Sequence, residues 1–197
     1  EVVAWLIATA PGATWQDKLS RSLARLQGAY SLAILTPEKL IAARDPMGVR
    51  PLCIGTLDGG RVVASESCAL DHIGASFERD VTPGEIVFID TGESSVFQSR
   101  NGAHASCVFE HIYFARPDSV IEGRLVYQAR LAMGEQLAIE HPVEADIVVG
   151  VPDSATAAAI GYSRASGIPY REGLLKNRYV GRTFIAPDQR LRDLGVQ

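Results

Sequence analysis

The 197-residue chain carries 19 Lys/Arg against 23 Asp/Glu, a formal charge of −4, with 47% hydrophobic and 21% charged residues. This balance suits a globular protein with a sizeable core and argues against a disordered or fibrous chain, or one with a general affinity for nucleic acid. No apolar run approaches the ~18 residues of a membrane span, and the opening EVVAWLIATAPG lacks a basic n-region, so neither a transmembrane segment nor a signal peptide is expected.

The opening also lacks an initiator Met, so the chain is expected to begin inside a longer protein. In TWQDKLSRSLARLQG, Trp15, Leu19, Leu23 and Leu26 share a helical face, Thr14 reads as the N-cap with Asp17 three residues on, and Gly28 is a stop signal. Seven short β-rich runs follow (AYSLAILT, KLIAAR, PLCIG, RVVAS, SFERDV, GEIVFID and SVFQS), divided by turn residues at a spacing that favours antiparallel pairing. Residues 1–100 therefore read as a largely antiparallel sheet with accompanying helices, an α+β arrangement. Near residues 101–106 the pattern changes. VYQARLAMGEQLAIEH is an amphipathic helix with Val126, Ala129, Met133 and Leu137 inward. ADIVVGV suits a strand buried on both faces of a parallel sheet, an Ala-rich helix ends at Gly167, and IPYREGLL offers the next strand, together a βαβ unit.

Four segments bear on chemistry. In GVPDSATAAA, Asp153 and Ser154 stand between a strand and a helix, where anions bind in open α/β sheets; the competing reading is that they cap the helix. From Arg171 to Arg192 six Lys/Arg meet two Asp/Glu, a net of +4 in an acidic chain. Lys176 with Arg178 and Arg182 suits a polyphosphate, the alternative being a solvated surface run. ARDPMGVRPL reads as a tight turn with a buried or paired Arg50. In CVFEHIYFARPDS, Cys107 reads as a buried small hydrophobe and His111 as a hydrogen-bonded core residue. Cys53, Cys68 and Cys107 form no CxxC pair and the four histidines have no zinc spacing, so a reducing compartment is expected and a disulfide framework is not.

RDPMGVRPL, VASESCALD, RDVTPGE, FEHIYFARPDS, VPDSATAAAIGY and GIPYREGLLKNRYVGRTFI together resemble the glutamine phosphoribosylpyrophosphate amidotransferases, or amidophosphoribosyltransferases, in order and spacing over the whole chain. The resemblance implies the later part of an N-terminal-nucleophile glutaminase domain, antiparallel and α+β, over residues 1–102. The start of a phosphoribosyltransferase-type parallel α/β domain, including its flexible loop, would follow over 103–197. The implied reaction converts 5-phosphoribosyl pyrophosphate, glutamine and water to 5-phosphoribosylamine, glutamate and pyrophosphate, the first committed step of purine synthesis. By the same resemblance the nucleophilic Cys precedes this stretch and an acidic substrate motif follows it, so no catalytic residue is assigned here and the stretch alone is expected to be inactive. Lys176, Tyr179 and Arg182 would contact phosphoribosyl pyrophosphate, and Ile185 would line an ammonia channel. Ser154 would help hold Mg²⁺, and Cys107 would be one ligand of a [4Fe–4S] cluster. The family also implies a cytoplasmic homotetramer inhibited by purine nucleotides, with no nucleic-acid or membrane partner. The alternative is a truncated, non-catalytic regulatory or interaction relative.

Overall fold

The structure is a computed structural model that describes the chain except for Thr91, residues 98–103, Arg178, Val180, Arg182 and Gln197. It divides into two compact units, Glu1–Ala129 and Arg130–Gln197. The 102/103 boundary expected from the sequence lies outside the described residues. Residues beyond it bond back into the first unit, with the Ala105 and Cys107 N–H groups donating to the Met47 and Val49 carbonyls.

In the first unit, α1 (Val2–Thr9) precedes α2 (Trp15–Leu23). The Thr14 side chain accepts from the Asp17 N–H while the Asp17 carboxylate accepts from the Thr14 N–H, so two otherwise unpaired helix-end donors are satisfied reciprocally. The helix closes before Gly28, with the Arg25 and Leu26 N–H groups turning back to the Ser22 and Leu23 carbonyls.

All seven β-rich runs form strands: β1 (Ser31–Leu35), β2 (Leu40–Arg44), β3 (Cys53–Leu57), β4 (Gly60–Ala64), β5 (Ser76–Asp80), β6 (Glu85–Ile89) and β7 (Glu93–Phe97). Their pairings are antiparallel, as the spacing predicts, but they make two sheets, ordered β1-β2-β6-β7 and β4-β3-β5. Side-chain alternation explains the layering. Ile41, Ala43, Ile86 and Phe88 pack with Ile7, Leu19 and Leu23 of the helices, whereas Ala42, Val87 and Ile89 pack with Leu52, Ile54 and Val81 on the other face. A helix α3 (Ser67–His72), unread in the sequence, brings Leu70 against Cys53 and Ala75. A π-helical turn (Glu110–Phe114) and the hairpin β8 (Val120–Ile121) and β9 (Arg124–Leu125) follow.

Helix α4 (Val126–Glu140) matches its predicted span and, at the fully buried Val126, the start of its predicted inward stripe, but not the rest of it. Met133 and Leu137 are 38% and 48% exposed, and the buried positions after Val126 are Arg130, Gly134 and Ala138. The reason is the approach of α5 (Thr156–Ser166): a Cβ on Gly134 would lie 1.9 Å from the Ala158 carbonyl oxygen, and one on Gly161 would lie 2.0 Å from that of Leu131. Small residues face inward because another backbone occupies the space. Gly167, in the left-handed region at φ 77°, ends α5 as the sequence indicates. The expected buried strand is corrected too. Val148 pairs with Tyr170 in the parallel sense predicted, through a single bridge, while Ile147, Val149 and Val151 are exposed. Elements packed on both faces bury a parallel strand, and the exposure of these three side chains shows that such cover is incomplete here. A 3₁₀ turn (Thr183–Ile185) and α6 (Gln189–Val196) complete the second unit. Among the described residues no helix is long and apolar enough to cross a membrane.

Candidate functional site

The turn before α5 is the centre of the candidate site. Its residues do not cap the helix: the N-cap is Ala155, with no side-chain hydrogen bond. The Asp153 carboxylate instead accepts from Lys176 Nζ at 2.9 Å, across 23 residues of sequence. Lys176 of the basic run is thereby brought to the turn at the positive end of the α5 dipole, an arrangement suited to an anion. Ser154, adjacent in sequence, is half-buried.

The other residues expected here do not converge in the same way. Tyr179 is 99% exposed, its N–H donating to Asn177 Oδ1, and Ile185 is exposed within the 3₁₀ turn. Arg182 lies outside the described residues.

Each metal expectation assigns a single ligand to this chain. Ser154 offers one neutral oxygen, and the nearby Asp153 carboxylate is engaged by an ammonium. Among the described residues no three His, Cys, Asp or Glu are grouped to hold a metal ion. Cys107 is a free, half-buried thiol, and Cys53 and Cys68 are free and buried. Burial pushes the Cys53 thiol up to about 12 and raises that of Cys68, so neither is poised as a thiolate ligand or nucleophile. By its chemistry Ser154 can offer one oxygen to Mg²⁺, and Cys107 one of the four thiolates that a [4Fe–4S] cluster takes.

In the first unit, three of the sequence motifs meet. Arg44, almost fully buried, donates to the Arg50, Val81 and Gly48 carbonyls and, at 3.4 Å, to Glu122. Asp45 accepts from the Tyr30, Met47 and Val49 N–H groups, which closes the Asp-Pro turn around Gly48 at φ 66°. Arg50 is the paired arginine: it forms an ion pair with the buried Glu110 and lies over the Phe114 ring at 4.7 Å, tying the turn to the π-helical segment. Burial raises the Glu110 carboxyl, with Arg50 opposing. Glu66 of the VASES run accepts from the Arg116 N–H and the Ser119 hydroxyl, at 2.9 and 2.7 Å. Glu66, Glu110 and Glu122 went unread in the sequence, where each is an ordinary acidic residue.

A family model for a glutamine amidotransferase domain matches residues 2–72. The chain is 52% identical over 198 residues to the amidophosphoribosyltransferase of Bacillus subtilis and 50% identical over 199 residues to the chloroplastic one of Glycine max; both matches cover all of it. A solved B. subtilis glutamine phosphoribosylpyrophosphate amidotransferase, complexed with ADP and GMP, superposes over the whole chain with a TM-score of 0.88 at 51% identity. These relatives, aligned with the whole of this chain at about half identity, are amidophosphoribosyltransferases. It spans 35% and 42% of the two relatives and 43% of that structure. The antiparallel layers and the parallel strand–helix segment are accordingly those of the amidophosphoribosyltransferase fold, an N-terminal-nucleophile glutaminase joined to the beginning of a phosphoribosyltransferase-type domain.

Proposed function

We propose that this chain is the central part of an enzyme that makes 5-phosphoribosylamine, glutamate and pyrophosphate from 5-phosphoribosyl pyrophosphate, glutamine and water. The observation that carries the reading is the match of all 197 residues to amidophosphoribosyltransferases at about half identity. In the reaction, glutamine hydrolysis frees ammonia, which displaces pyrophosphate from the sugar. Residues 1–102 serve the glutaminase side and 103–197 the transferase side. The role of the second unit is to bring cationic and helix-end donors to a diphosphate, and the contact of Lys176 with the turn before α5 supports that role.

Lys176, Tyr179 and Arg182 act as loop contacts to the substrate and Ile185 lines the ammonia path. Ser154 supplies one oxygen to Mg²⁺ and Cys107 one thiolate to a [4Fe–4S] cluster, with further ligands from other residues. Regulation by purine nucleotides, a homotetrameric assembly and a cytoplasmic location complete the reading. The B. subtilis structure with ADP and GMP supports the regulatory element.

The test is a chimera in which these residues replace the corresponding 42% of the B. subtilis relative. Glutamine-dependent formation of phosphoribosylamine is expected. A folded, soluble chimera that hydrolyses glutamine but forms no phosphoribosylamine would instead favour a non-catalytic relative.

A further inference from the structure

Resting on that loop reading, we propose that Asp153 is the resting counter-ion of Lys176 and competes with the diphosphate for it. Three observations lead there. First, the carboxylate that the sequence offers as a helix cap leaves the helix end alone and reaches for the loop ammonium at 2.9 Å. Second, the two side chains are 72% and 56% exposed, so their attraction is screened and the pair is readily exchanged for a stronger partner. Third, two described cations of the run are held within their own segments: Arg171 donates to the Tyr170 carbonyl, and Arg192 to Gln189 and the Ala186 carbonyl. Lys176 is instead anchored to a different element, at the place where the anion would arrive.

The chemistry of exchange follows. A diphosphate presents several negative charges and many acceptor oxygens, so it outcompetes a single carboxylate for the ammonium. It also repels Asp153, which turns to solvent as Lys176 changes partner. No bond is made or broken and no proton need move. The carboxylate keeps the first residue of the basic loop beside the turn before the ligand binds, and charge repulsion within the run, net +4 from Arg171 to Arg192, is offset in part meanwhile. Asp153 is thus a positioning residue whose removal sharpens anion binding while loosening the unliganded loop.

The experiment uses the 197-residue chain and inorganic pyrophosphate in metal-free buffer, with calorimetric titration and amide exchange of residues 172–177. Asp153→Asn should bind pyrophosphate about three- to fivefold more tightly, the scale of an exposed ion pair, and its unliganded loop should exchange faster than wild type. Asp153→Glu should restore both properties. Lys176→Gln should weaken binding, and adding Asp153→Asn to it should regain little. If the wild type binds pyrophosphate and Asp153→Asn binds it equally or less well, the competition is overturned while the loop reading stands. If neither protein binds it, the loop reading falls and the competition with it.

Discussion

Arg44 shows how much one side chain can organise. Its guanidinium joins three carbonyls that belong to the Asp-Pro turn and to Val81, and Glu122 meets it from the β8–β9 turn. Glu122 sits at φ 50° beside Gly123 at φ 76°, a two-residue hairpin turn in which Asn or Asp is the usual first residue. An Arg44→Met variant would leave the three carbonyls without this buried donor, at about 1–3 kcal/mol each a loss of roughly 3 kcal/mol or more. A chain of this size should then melt about ten degrees lower, measurable by calorimetry. Cys53 makes a second residue-scale prediction. Its folded thiol titrates at about 12 against an ordinary 9.0 because burial disfavours the thiolate. Below pH 9 both folded and unfolded states keep the proton and the contribution is constant. Between pH 9 and 12 the unfolded chain releases the proton while the folded one retains it, so stability falls as pH rises. Denaturant unfolding at pH 8 and pH 10.5 should show a steeper loss for wild type than for Cys53→Ala; parallel losses would mean that Cys53 ionises freely in the fold.

Among the elements, the crossing of α4 and α5 carries the clearest lesson. Gly134 and Gly161 each face the backbone of the opposite helix, so a single methyl at either meets a carbonyl rather than a side chain that could move aside. Gly134→Ala and Gly161→Ala should each destabilise the chain by about 1–3 kcal/mol or more. Leu137→Ala, on the exposed side of α4, should change stability by no more than about 0.5 kcal/mol. Urea titration of the three variants checks the ranking. An apolar side chain counts toward a core only if space is left for it, and here the helices meet too closely at Gly134 and Gly161.

For the whole molecule, the proposed division of labour makes two further predictions. Treated anaerobically with iron and sulfide, the isolated chain should retain no stoichiometric [4Fe–4S] cluster, because Cys107 is its one thiol outside the buried core and four thiolates are needed. Iron analysis after desalting is the measure, and four irons per chain would contradict it. In the B. subtilis chimera, Lys176→Gln should lower transferase kcat/KM about ten- to a hundredfold, the scale of one charge-assisted contact to phosphate. Glutamine hydrolysis on its own should change much less. A transferase rate within twofold of the parent chimera would remove Lys176 from the substrate site.

By itself the sequence determined the elements whose signals are local. The Thr14–Asp17 cap, the seven strands, the Gly167 helix end and the antiparallel pairing in 1–97 could all be read from neighbouring residues, because caps, turns and alternation act over a few positions. Motif order likewise carried the resemblance to amidophosphoribosyltransferases. Tertiary structure alone decided what depends on distant partners. It separated the strands into two layers, since alternation says that opposite faces differ but not what covers each. It placed Gly134 rather than Met133 at the helix contact, and it gave Asp153 to Lys176 rather than to its own helix. A carboxylate near a helix start has both choices within reach, and the selection rests on where a loop some twenty residues later delivers a charge.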